Sequence, residues 1–121
     1  MVVVSFFATW CGPCRKEVPT LARIQKVAGP EKLTIIAIDL EEDRRVVKKL
    51  RRVFREYGLT FTHDFNGEIA KAFGVKGIPH MVIVGPDGRV AAKHVGYGEQ
   101  SLDEVVDDIN RFYRQWRAAK R

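Results

Sequence analysis

Residues 2–8, Val-Val-Val-Ser-Phe-Phe-Ala, carry β-branched, aromatic and small side chains, one hydroxyl and no charge. A strand with one face in water alternates apolar and polar residues. A strand without alternation must be covered on both faces, which places it inside a sheet flanked by helices. Residues 33–39, Leu-Thr-Ile-Ile-Ala-Ile-Asp, are likewise mostly apolar and without alternation up to Asp39, so they predict a second buried strand.

Between them, residues 12–28 read as a helix, with Val18, Leu21, Ile24 and Val27 at helical spacing. Pro19 should kink it, and Gly29-Pro30 ends it. Residues 43–57 predict an amphipathic helix whose stripe is Val46, Val47, Leu50, Val53, Phe54 and Tyr57. Glu41, Glu42 and Asp43 stand at its start, where the helix dipole favours negative charge, and Gly58 stops it. Residues 59–65 predict a short strand and residues 67–73 a short helix.

His80–Val84 and residues 89–95, joined by Pro86-Asp87-Gly88, carry the signature of an antiparallel hairpin. The last helix is expected over residues 101–119, with Ser101 and Glu104 as a capping box. Its buried stripe is Leu102, Val105, Val106, Ile109, Phe112, Tyr113 and Trp116. The order β-α-β-α-β-α-β-β-α predicts an α/β fold: one mixed sheet with helices on both faces, over a single domain of residues 1–121.

At 121 residues with 45% hydrophobic and 30% charged residues, the chain can bury a real core. Its longest apolar runs, about seven residues, fall far short of the ~20 a membrane-spanning helix needs. No secretory leader is visible ahead of the first strand. Either the protein is made without one, or a leading segment is missing from this sequence.

The chain carries 21 basic and 15 acidic residues, a formal charge of +6. Twelve of the basic residues are Arg44, Arg45, Lys48, Lys49, Arg51, Arg52 and Arg55 on the second helix and Arg111, Arg114, Arg117, Lys120 and Arg121 at the end. Two readings of this excess stand: a solvated helix face with C-terminal cations that suit the dipole, or a weak contact of residues 44–55 with an acidic partner or an anionic membrane surface. No nucleic-acid motif accompanies the charge, so no nucleic-acid partner is expected.

Chemistry concentrates in Trp10-Cys11-Gly12-Pro13-Cys14, between the first strand and the first helix. Two cysteines three apart on a first helical turn can meet. Cys11 would sit near the N-cap, where unpaired N–H groups and the dipole stabilise an anion. Gly12 allows close approach, and Pro13 fits a position whose N–H is not needed.

A free thiol with pKa ~8.5 is only about 3% thiolate at pH 7, and lowering the pKa to ~7 needs roughly 2 kcal/mol, within reach of a helix terminus. A bridge across about four residues constrains the unfolded chain by no more than ~2 kcal/mol, so it suits redox cycling better than holding a fold. A structural disulfide and a zinc half-site are the competing readings. The second lacks another cysteine pair, and His63, His80 and His94 are scattered without finger spacing.

The segment from Phe7 through Trp10-Cys11-Gly12-Pro13-Cys14 to Glu17-Val18-Pro19 resembles the active site of thioredoxin-fold proteins. It is most similar to the TlpA/ResA-like branch, often grouped with the AhpC/TSA and redoxin families. Gly74-Val75-Lys76-Gly77-Ile78-Pro79 resembles the family's cis-proline segment. The helix and strand inserted between the second strand and that proline are a feature of the same branch.

The resemblance implies a thiol–disulfide oxidoreductase, a reductase by its Gly-Pro pair, with Cys11 attacking and Cys14 resolving. It implies a cis Pro79 facing the cysteines and Ile78 offering backbone groups to a substrate strand. It also implies that Glu17 moves the Cys14 proton or tunes the thiols, and that Trp10, Gly12, Pro13 and His80 contact substrate. Expected partners are a protein substrate with a disulfide, as in cytochrome c maturation, and a protein electron donor. No cofactor is expected, and the protein is expected to be a monomer.

The location it implies is the bacterial periplasm or another extracytoplasmic site, with the cytoplasm as the alternative. The sequence departs from plain thioredoxins in holding Ser5 where they carry a buried Asp, and in His80 after the proline. That histidine opens a second reading: a copper or zinc carrier using Cys11, Cys14 and His80. A peroxide reductase is disfavoured, because its lone reactive cysteine in a proline/threonine context is absent.

Overall fold

The computed structural model describes residues 1–40, 43–96 and 99–119. In chain order the elements are β1 (Val2–Phe7), α1 (Gly12–Ala28), β2 (Thr34–Asp39), α2 (Arg44–Glu56), β3 (Thr60–His63), α3 (Glu68–Ala72), β4 (His80–Val84), β5 (Val90–Val95) and α4 (Glu99–Ala119). The five strands form one sheet in the order β3-β2-β1-β4-β5. β1 pairs in parallel with β2, and β2 with β3. β4 runs antiparallel to both β1 and β5, with an irregularity at Ile83/Val84. The sheet is mixed, and the non-alternating strands β1, β2 and β4 are its three central ones.

The two faces of β1 feed two cores. Val3 and Phe7 join Leu21 of α1, Phe54 of α2, and Val105 and Ile109 of α4. Val4 and Phe6 join Ala70, Ile69 and Phe73 of the α3 segment. Three helices therefore cover one face and a single short helix the other.

Side-chain hydrogen bonds fix the inserted unit. Asp43 caps α2 by accepting from the Arg45 N–H at 2.9 Å. Of the three acids expected at this start, Glu41 and Glu42 lie outside the described residues. The Asp64 carboxylate accepts from the Ile69 and Ala70 N–H groups, at 3.0 and 2.9 Å, and so anchors the start of α3. That turn ends β3 at His63, two residues short of the expected strand end.

Buried Gln25 of α1 donates to the Gly58 carbonyl and accepts from the Ile35 N–H, each at 2.8 Å. It ties α1 to the start of β2 and to the turn after α2.

Other expectations need correction. Val27, expected in the buried stripe of α1, is exposed, because at 100° per residue it falls on the far side of the helix from buried Leu21 and Gln25; α1 itself runs through Pro19 as one helix. α4 begins at Glu99, two residues early, so Ser101 lies within its first turn rather than at its cap. Residues 97 and 98, where the cap would fall, lie outside the described residues. On α2, Val53 and Tyr57 remain 40% and 44% exposed, because the sheet covers only the Val47 and Phe54 side of the stripe.

Candidate functional site

Strand β1 delivers the chain to the rim of the sheet, and buried Ala8 receives the Cys11 N–H at 3.1 Å. This turns residues 8–11 sharply, so that Cys11 becomes the N-cap of α1 with extended backbone (φ −90°, ψ 99°) and Pro13 enters the first turn. Arg15 Nε donates to the Thr9 carbonyl at 2.8 Å and braces the turn from the helix side. Cys11 and Cys14 are joined by a disulfide, their Cα atoms 5.3 Å apart. Cys11 is the outer sulfur, 6% exposed against 2% for Cys14. No side chain caps α1, so its first N–H groups remain directed at the cysteine turn.

The residues around the bridge differ in what they can offer. Trp10 is 70% exposed and thus free of the core. A Cβ added at Gly12 would meet nothing within 4 Å, so none of the described residues requires glycine there. Glu17 lies one turn beyond Cys14 and is buried, and that burial pushes its carboxyl up to about 7. Ser5, in the place of the plain-thioredoxin acid, is buried in β1.

The Ile78–Pro79 bond is cis. Pro79 is buried and its carbonyl accepts from the Gly96 N–H at 2.9 Å. Ile78 packs partly against both cores.

His80 is placed otherwise than the sequence suggested. It pairs with Phe6 across β4 and β1, so its ring goes to the Phe6 face, where it meets that ring edge-on at 5.9 Å. The sulfurs belong to the core on the opposite face. Neither ring nitrogen has a hydrogen-bond partner among the described residues, a sulfur included. Burial, and then the charge of Lys93, push the ring's pKa down, so it is held neutral. The set Cys11, Cys14 and His80 does not assemble as a three-ligand metal site, and a buried ring cannot meet a substrate chain.

Sequence reasoning missed a groove beside the bridge. An apolar cavity of about 160 Å³ runs from Cys14 between Val18 and Pro19 of α1 and Leu50, Val53 and Tyr57 of α2. Its signal was already in the α2 stripe, which is wider than the sheet alone can cover.

Residues 1–90 match the model of a family described as thioredoxin-like. The chain is 30% identical over 112 residues to the thiol-disulfide oxidoreductase ResA of Bacillus cereus, covering 91% of this chain and 62% of the relative. It is 34% identical over 108 residues to a thioredoxin of Listeria monocytogenes, covering 88% of this chain and 81% of that one. Among solved structures, one described as a thiol:disulfide interchange protein DsbE from Chlorobium tepidum superposes with a TM-score of 0.80 at 24% identity, over 93% of this chain and 79% of that chain. The fold is shared with that structure. The chain spans a little under two thirds of the ResA relative's length.

Proposed function

From a chain that belongs to the thioredoxin-like family and carries its two cysteines on the first turn of α1, we propose a thiol–disulfide oxidoreductase that reduces protein disulfides. The observation that carries this reading is the Cys11–Cys14 bridge at an otherwise uncapped helix N-terminus. In the reduced protein, the Cys11 thiolate attacks one sulfur of a substrate disulfide. A mixed disulfide forms and the other substrate sulfur leaves as a thiolate. Cys14 gives up its proton and attacks the Cys11 sulfur. The remaining substrate thiolate leaves, and the Cys11–Cys14 bond closes. Two electrons pass to the substrate, and a dithiol protein donor must return them.

Glu17 is the group that takes the Cys14 proton. A carboxyl near 7 is half ionised at neutral pH, which suits an acid–base group that works in both directions. Ile78 presents its backbone to the substrate strand, with Pro79 shaping the approach. Trp10 supplies an exposed apolar plate, and Gly12 and Pro13 a low ridge over which the substrate disulfide can approach Cys11.

Likeness to ResA supports specific protein disulfides as substrates, those of cytochrome c maturation among them, and an extracytoplasmic location. No described helix is long and apolar enough to cross a membrane. One domain over residues 1–121, acting as a monomer, completes the proposal.

Turbidity of insulin with dithiothreitol tests the reading. The wild type should accelerate precipitation of the reduced B chain, and Cys11→Ser should not. Equal inertness of the two proteins would overturn it.

A further inference from the structure

Helix α2 carries seven cations, Arg44, Arg45, Lys48, Lys49, Arg51, Arg52 and Arg55, against the single carboxylate of Glu56, as much excess charge as the whole chain (+6). All seven side chains are exposed, and none is in an ion pair among the described residues. Arg45–Lys49, Lys48–Arg52 and Arg51–Arg55 are like-charged neighbours one turn apart, an arrangement that opposes helix formation. A helix that needed only solubility could mix the signs, as α4 does with Asp103, Glu104, Asp107 and Asp108.

Position separates these cations. Arg51 lies over the Phe61 ring at 5.5 Å and, with Arg55, turns toward β3; Arg44 lies over Phe65 at 5.3 Å. At 100° per residue, Lys49 falls about 40° from Val53, while Arg45 and Arg52 lie beyond it on the solvent-facing side of the helix, with Glu56 between Lys49 and the two arginines. Val53 is also a wall of the groove that reaches Cys14. One helix thus shows the redox centre an apolar wall and, bordering it, Lys49 at the edge of a solvent-facing group in which Arg45 and Arg52 outweigh the one carboxylate of Glu56.

We infer that this side of α2 is a docking surface for the substrate protein. It selects a disulfide whose flanking segment carries an apolar side chain for the groove and carboxylates for Arg45, Lys49 and Arg52. The inference rests on the oxidoreductase reading and adds the substrate's charge class to it. Continuity with Cys14 and charge complementarity favour an acidic polypeptide. A membrane surface would be flat, and could not enter a groove that opens beside the sulfurs.

Three synthetic peptides test it, each a cystine-bridged pair with one leucine and flanks of glutamate, serine or lysine. Turnover is followed with dithiothreitol as donor. In low salt the wild type should reduce the acidic peptide about tenfold faster in kcat/KM than the serine peptide, and the lysine peptide slowest. The gap should close at high salt. R45E/K49E/R52E should reverse the order, with its fold checked by circular dichroism. K26E/R89E/R114E changes the net charge equally, away from the groove, and should keep the wild-type order.

Equal rates on all three peptides, or the same loss of preference in both triple variants, would overturn the inference and leave the oxidoreductase reading standing. No turnover of any peptide by the wild type would overturn both. Binding to phosphatidylglycerol vesicles with no peptide preference would assign the helix to a membrane and overturn the inference.

Discussion

Glu17 sits three residues after Cys14 on the same buried side of α1, so the inner cysteine and a carboxyl near 7 are neighbours about one helical turn apart. The raised value means that the folded chain prefers the neutral acid. Between 4.5, its ordinary value, and about 7 the folded state holds a proton that the unfolded state has released. This group's stabilising contribution is therefore complete in acid and lost as pH rises through that window. Glu17→Gln should raise the melting temperature at pH 8 and change it little at pH 4. A gain on the order of 1–3 kcal/mol at pH 8 is expected, the upper figure being reduced by partial solvent screening. The same variant should slow disulfide turnover at pH 8 by roughly 10² and remove the rise in rate through neutral pH. A variant with the wild-type pH–rate profile would show that Glu17 takes no part in proton transfer.

The two sulfurs differ in access, and this fixes their order of use. Cys11 is the outer one, at the uncapped helix start, while Cys14 lies beneath it. Cys14→Ser should accumulate a mixed disulfide with a substrate peptide through Cys11, visible as an intact adduct by mass spectrometry. Cys11→Ser should form little or none. Adducts of equal yield would mean that either thiol can attack. Titrated by its thiolate absorbance in Cys14→Ser, Cys11 should ionise below the ~8.5 of a free thiol.

Gln25 holds three elements with one side chain. Replacing it with Ala leaves the Ile35 N–H and the Gly58 carbonyl without their partners. Each such loss in a buried setting costs about 1–3 kcal/mol. Gln25→Ala should therefore lower unfolding stability by roughly 2–4 kcal/mol in urea, with the bridge chemistry intact. A loss below ~0.5 kcal/mol would mean that water replaces the amide at no cost.

Much of this arrangement was legible because its signals are local. Non-alternating strands, a cysteine pair ahead of a helical pattern and Pro-Asp-Gly at a hairpin follow from side-chain period and turn chemistry. They placed β1, α1, β4 and the bridge within a residue or two. What escaped depended on how the layers pack. Whether Val53 and Tyr57 meet the sheet or open a groove depends on the distance between α1 and α2, which no residue of α2 specifies. The Gln25 bonds join residues 10 and 33 positions apart. The face taken by His80 follows from its pairing with Phe6, and strand register is set by the whole sheet.

That pairing makes His80 a test of the site's boundary. Its ring is held neutral by burial and by Lys93, so the folded chain binds its proton less readily than the unfolded chain does. The stability this group contributes is present above 6.5, its ordinary value, and is lost as pH falls below it. His80→Leu places an apolar side chain against Phe6 and removes the buried group that must be charged in acid. The wild type should lose stability relative to the variant between pH 6.5 and 5, measured by thermal melting in a series of buffers. The ring touches neither sulfur nor solvent, so kcat/KM toward a disulfide peptide at pH 7.5 should stay within about twofold of the wild type. A tenfold fall in kcat/KM with stability unchanged would place the imidazole in the reaction and refute its assignment to the core of the α3 face.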